Sequence, residues 1–248
     1  MPGPTADDHL LSRRVVAEAG DLLLELRART GLHPETMRAD GDWQAHKLIV
    51  ELLKRERPDD AILSEEGADN PARVGYERVW IVDPLDGTRE FGEPGRVDWA
   101  VHCALSIDGV ITAGAVALPA QGIVLATDEP PVVPPNGERP MRVVTSRTRR
   151  PYASVLIADE LRAELVPMGS AGAKAMAVVK GEVDVYAHAG GMYEWDSAAP
   201  VAVAVAAGLH ASRLDGAPLR YNNADPYLPD LLICRPEYAE RAIDALAG

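Results

Sequence analysis

The sequence predicts a mixed chain, α+β in its first half and α/β in its second, and three patterns carry that expectation. Helix-period segments lead into a run with period-two alternation, a proline-rich stretch interrupts the 248 residues near the middle, and strands then alternate with helices.

The first helix is expected over Asp8 to Arg29, where Leu11, Val15, Ala19, Leu22, Leu23 and Leu26 fall on one stripe. Thr5 and Asp8 form a capping-box-like start, with Asp in place of the usual Glu or Gln. A second helix is expected from Asp42 to Arg55, with Ala45, Ile49, Leu52 and Leu53 on its apolar face and Pro58 closing it. Two short strands follow, Ala61 to Ser64 and Arg78 to Val82, each running into acidic residues. From Val97 to Ile107 the odd positions are apolar, a strand period over eleven residues. Asp108-Gly109 reads as a hairpin turn into Val110 to Leu118, and a strand at Ile123 to Thr127 completes a meander.

Residues 128–140 contain five prolines and Asn136-Gly137, which marks them as a linker between an N-terminal part, 1–127, and a C-terminal part, 141–248. In the second part strands are expected at Met141–Thr145, Val166–Met168, Val183–His188, His210–Arg213 and Leu231–Cys234. Helices are expected near Ala153–Glu164, Ala171–Lys180, Ser197–Ala207 and Glu237–Ala247.

Composition narrows the function. With 47% hydrophobic and 25% charged residues the chain is of ordinary globular make-up. A net charge of −13 without a basic stripe argues against a nucleic-acid partner, whose phosphates need clustered Lys and Arg. No apolar run is long enough to span a membrane and the N-terminus lacks a signal-type core, so a cytoplasmic protein is expected. Cys103 and Cys234 sit far apart in apolar runs and read as buried free thiols.

The chemistry sits in three acidic clusters at strand or helix ends. Asp83-Pro84-Leu85-Asp86-Gly87-Thr88 follows an apolar strand, Glu65-Glu66 ends another, and Asp196 begins a helix. Carboxylates this dense raise one another's pKa unless a cation or water faces them, and hard oxygen donors suit Mg²⁺. Gly87 and Thr88 offer backbone N–H groups and a hydroxyl for a phosphate oxygen. Taken singly, each cluster reads equally as a surface turn, a solvated loop or a helix cap.

The three clusters in this order resemble the inositol monophosphatase superfamily of magnesium-dependent, lithium-sensitive phosphatases. Trp80 to Thr88 is similar to its apolar strand and Asp-Pro-(Ile/Leu)-Asp-Gly-Thr, Glu65-Glu66 to its upstream acidic pair, and Trp195 to Ala199 to its Trp-Asp-x-Ala-Ala. The resemblance implies a layered αβαβα sandwich of two lobes with the site between them. It implies two or three Mg²⁺ ions on Glu65, Asp83, the Leu85 carbonyl, Asp86 and Asp196, and Thr88 orienting a water with Asp42, or with Asp40 in its place.

Gly87-Thr88-Arg89-Glu90-Phe91, together with the segment from Met168 to Lys174, looks like the CysQ-type branch, which removes the 3′-phosphate of 3′-phosphoadenosine 5′-phosphate in sulfate assimilation. Inositol-1-phosphate and fructose-1,6-bisphosphate are the alternative substrates. The substrate side would then include Gly87, Thr88, Ser170, Lys174, His188 and Glu194. Two departures stand out: the stretch Ala39 to Asp42 is a shortened version of the family's loop, and His188 stands where relatives often carry arginine, a stronger phosphate clamp. Dimers are common in that family, although no interface signature is legible here.

Overall fold

A computed structural model describes residues 3–29, 33–149 and 151–247. The chain builds five layers. Helices α1 (Ala6–Ala28) and α2 (Pro34–Glu56) cover one face of a sheet with strand order β1-β2-β3-β4-β5. Strands β1 (Ala61–Ser64) and β2 (Arg78–Asp86) pair in parallel; β3 (Ala100–Ile107), β4 (Val110–Leu118) and β5 (Ile123–Ala126) continue the sheet antiparallel. A short helix, α3 (Thr88–Gly92), leaves the end of β2.

The second sheet has the order β7-β6-β8-β10-β9. It is formed by β6 (Arg142–Ser146), β7 (Glu164–Met168), β8 (Val185–Tyr193), β9 (His210–Ser212) and β10 (Tyr227–Cys234). Helices α5 (Ala171–Val179) and α6 (Glu194–Ala206) lie between the two sheets, while α4 (Tyr152–Leu161) and α7 (Ala239–Asp244) cover the outer face of the second. The expected αβαβα sandwich is the architecture found.

Burial explains the layering. Trp99, just before β3, and Val101, Cys103, Leu105 and Ile107 on it join the core under α1 and α2, while Ala100 and Ala104 join the central core with α5 and α6. The small residues let the middle helices approach: a methyl on Gly114 of β4 would stand 2.8 Å from Ala202 of α6. Both sheet faces are therefore covered, and period-two alternation here separates large from small side chains rather than wet from dry.

Most element positions agree with expectation, and the differences have local causes. The Thr5–Asp8 capping box forms, with Thr5 N–H donating to Asp8 at 2.9 Å and Asp8 N–H to Thr5 Oγ1 at 3.2 Å. Helix α2 starts at Pro34, a residue suited to a first helical turn, eight residues before the expected Asp42. Asp40, Gly41 and Asp42 are consequently helical, and the shortened loop expected there is part of α2. Strand β10 starts at Tyr227 rather than Leu231, with a register shift at Pro229, which has no N–H to give the ladder. Strand β8 extends past His188 to Tyr193 and delivers the chain directly into α6.

Candidate active site

The end of β2 is built to aim two carboxylates at one point. Asp83 Oδ1 accepts the Leu85 N–H at 3.0 Å, a turn around Pro84 that fixes its direction. Gly87 follows at φ 85°, a left-handed conformation that glycine adopts without cost, and its carbonyl accepts the Phe91 N–H as α3 begins. Asp196 arrives from the other part of the chain in the first turn of α6. There its Oδ2 accepts the Tyr193 N–H at 2.6 Å; Tyr193 is the N-cap, and Asp196, three residues on, secures the helix start rather than forming the cap itself.

Asp83, Asp86 and Asp196 each offer an oxygen, and the three atoms lie within 4.8 Å of one another. Glu65, at the end of β1, brings its carboxyl into hydrogen-bonding reach of Asp83. Burial, followed by repulsion from Glu65, Asp86 and Asp196, raises Asp83 well above the carboxylate range. Burial and neighbouring carboxylates likewise push Glu65 and Asp196 up to about 7. Protein groups alone do not neutralise this cluster, and its donors are all hard oxygens, so the residues fit a divalent cation of the Mg²⁺ type.

Thr88 stands beside it. Its hydroxyl lies 3.2 Å from Asp42 Oδ1 and 3.1 Å from the Leu85 carbonyl. Asp42 reaches it because Gly41 lets α2 press onto the β2 end: a methyl there would meet Phe91 at 3.0 Å and Leu85 at 3.1 Å. Burial, then the charge of Glu66, lifts Asp42 to about 7. Asp42, not Asp40, is the carboxylate hydrogen-bonded to Thr88.

A cleft of about 650 Å³ opens from this cluster, and Asp86, Gly87, Ser170, Lys174, His188 and Asp196 all line it. Lys174 is only 6% exposed and has no hydrogen bond or ion pair among the described residues; its ammonium lies 5.3 Å from the centre of the Tyr186 ring. Ser170 is more constrained than expected. It sits at φ 53°, caps α5 by accepting the Ala173 N–H at 2.9 Å, and donates its hydroxyl to Asp86. His188 Nε2 lies 2.8 Å from the Gly191 carbonyl, which can only accept, so that ring nitrogen is committed to the backbone of β8 just before α6.

Glu194 does not line the cleft. It is fully buried and accepts the backbone N–H groups of Asn222 and Asn223 at 2.7 and 2.8 Å, anchoring the loop before β10 to the start of α6. A carboxylate holding two backbone amides is structural, which corrects the expectation that it touches substrate.

Arg89, Arg147, Arg149 and Tyr193 are among the cleft residues that were not anticipated. Arg147 is tied to Glu90 at 2.5 Å and to Glu93 at 2.7 Å, which explains the Glu of Arg89-Glu90-Phe91: it clamps α3 to the end of β6. Arg89 and Arg149 are exposed and have no carboxylate partner among the described residues. The signal was present as Ser146-Arg147-Thr148-Arg149, a basic run at a strand end in an acidic chain.

Fold and site define a metal-dependent phosphatase class, and comparison with known proteins agrees. Residues 14–246 match the inositol monophosphatase family, and the chain belongs to it. A Mycobacterium tuberculosis protein named 3′-phosphoadenosine 5′-phosphate phosphatase is 54% identical over 239 residues, spanning 93% of this chain and 90% of that one. The crystal structure of CysQ from Bacteroides thetaiotaomicron is 26% identical, covers 92% of this chain and 97% of its own, and superposes with a TM-score of 0.79. Inositol monophosphatase II from Staphylococcus aureus has the same fold, with a TM-score of 0.80 at 20% identity over 97% of this chain and 96% of that one.

Proposed function

We propose that this chain is a Mg²⁺-dependent, lithium-sensitive phosphatase that hydrolyses 3′-phosphoadenosine 5′-phosphate to AMP and phosphate, a reaction that clears a by-product of sulfate assimilation. One observation carries the substrate reading: the cleft brings carboxylates and unmatched cations together. Asp86 and Asp196 line it with Lys174, Arg149 and Arg89, and none of these three cations has a carboxylate partner among the described residues. A substrate with two separated phosphates fits that layout, and the mycobacterial relative carries the corresponding name.

In this reading Asp83, Glu65 and the Leu85 carbonyl hold one cation, and Asp86 with Asp196 holds another; a third would share Glu65. Bound there, the ions would neutralise phosphate oxygens and charge on the leaving oxygen. The protein's own groups do the rest. Thr88 donates its hydroxyl hydrogen toward Asp42 and keeps its lone pairs for an attacking water, which it orients in line with the P–O3′ bond. Asp42, lifted to about 7, is matched to take up a proton near neutral pH. Lys174 faces the phosphate and Arg149 the second anionic group.

The test is phosphate release in Mg²⁺ from 3′-phosphoadenosine 5′-phosphate, inositol-1-phosphate and fructose-1,6-bisphosphate, each with and without millimolar Li⁺. The expected result is the highest kcat/KM on the adenosine bisphosphate, suppressed by Li⁺. A preference for inositol phosphate would retain the metal site and overturn the substrate.

A further inference from the structure

We propose that His102 is a positioning residue that sets the separation between Asp86 and Asp196. The inference rests on reading those carboxylates as a divalent-cation site. His102 lies on β3 directly opposite Asp83 of β2 and is completely buried. Its Nδ1 stands 3.0 Å from the Trp195 carbonyl. A carbonyl only accepts, so Nδ1 carries the hydrogen, and the bond holds the peptide group that joins Trp195 to Asp196. The other nitrogen, Nε2, is buried without a hydrogen-bond partner and is 3.4 Å from Asp86 Oδ2.

One imidazole thus touches the Asp86 carboxylate and the backbone carbonyl next to Asp196, groups from distant parts of the chain. The Nδ1 side orients Asp196 through its backbone, and the Nε2 edge backs Asp86. Gly172 is shaped around this ring. A methyl at that position would stand 2.0 Å from Nε2, so only glycine lets the first turn of α5 seat on the histidine while its N–H donates to Asp86 at 2.6 Å. Side chains behind metal ligands commonly change metal affinity by about 10- to 100-fold when removed.

The experiment measures Mn²⁺ affinity by EPR titration of the full chain, as wild type, H102N and H102L, with circular dichroism as the folding control. Asparagine places an amide N–H where Nδ1 stands and nothing at Nε2; leucine fills space without a donor. H102L should bind Mn²⁺ at least about tenfold more weakly, and H102N should recover most of that loss. Wild-type affinity in H102L would overturn the proposal. So would equal weakening in both variants, which would make the ring mere filler. Should H102L fail to fold, G172A decides: its methyl displaces the ring, so unchanged Mn²⁺ affinity would also overturn it. Absence of Mn²⁺ binding by the wild type would instead sink the metal reading beneath it.

Discussion

At the residue scale, the site is a set of carboxylates whose usefulness comes from being crowded. Asp83 is buried at the point where Glu65, Asp86 and Asp196 all repel its charge. Replacing it by asparagine keeps the shape and removes the charge. D83N should fold normally by circular dichroism and lose at least about a hundredfold in kcat, the scale of a lost electrostatic stabiliser. Arg149 makes a different kind of test, because it lines the cleft without a carboxylate partner among the described residues. R149A should lower kcat/KM for the adenosine bisphosphate about tenfold or more, through KM, while leaving 3′-AMP hydrolysis close to wild type. Equal losses on both substrates would remove it from recognition of the second phosphate.

At the element scale, one buried carboxylate ties three elements together. Asp8 in α1 accepts from Arg57 after α2 at 2.8 Å and from Arg78 of β2 at 3.0 Å. Burial pushes its pKa up, but the hydrogen bonds from Thr5, Arg57 and Arg78 outweigh that and hold it at about 2, against an ordinary 3.8. A depressed carboxylate adds stability above its unfolded value and loses it as pH falls through the folded one. D8A should therefore be less stable at neutral pH by about 2 kcal/mol, and its deficit should shrink between about pH 4 and pH 2 in urea unfolding. The β3–β4 hairpin makes a second prediction. Asp108 and Gly109 turn at φ 51° and 77°, and a methyl on Gly109 would press on the Tyr221 carbonyl at 3.2 Å. G109A should cost about 1–2 kcal/mol in thermal unfolding without touching kcat.

At the scale of the whole molecule, the site joins parts of the chain that are far apart in sequence. Asp86 accepts from Ala171 N–H at 3.1 Å and from Gly172 N–H at 2.6 Å, so the end of β2 is bound to the start of α5. Arg147 reaches from the end of β6 to α3, and Asp98 accepts the Gly169 N–H at 2.7 Å before α5. A cation held by Asp83, Asp86 and Asp196 would relieve repulsion among groups from both sides of residues 128–140. Saturating Mg²⁺ should accordingly raise the Tm by several degrees over EDTA-treated protein, since a ligand at about 100 times its Kd adds roughly 2.7 kcal/mol. An unchanged Tm would argue against metal at this junction.

Local chemistry makes much of this legible in the sequence. Thr5 and Asp8 announced the first cap, Asp108-Gly109 the hairpin, and the acidic strand end after Val82 the site, because capping, turn geometry and charge density act over a few residues. What lay beyond that range was decided by packing. Helix α2 extends back through Asp40 and Gly41 despite a weak local pattern, because Gly41 fits against Phe91 and Leu85. Glu194 and Asp196, two residues apart, diverge completely: one holds the Asn222–Asn223 loop and the other joins the carboxylate cluster. His102 read as one polar position in an alternating strand, and only the folded chain sets it between Asp86 and the peptide of Asp196. Sequence by itself determined which groups could do the chemistry; tertiary structure decided which of them meet, because long-range contacts depend on the shapes of partners from 28 to 93 residues away.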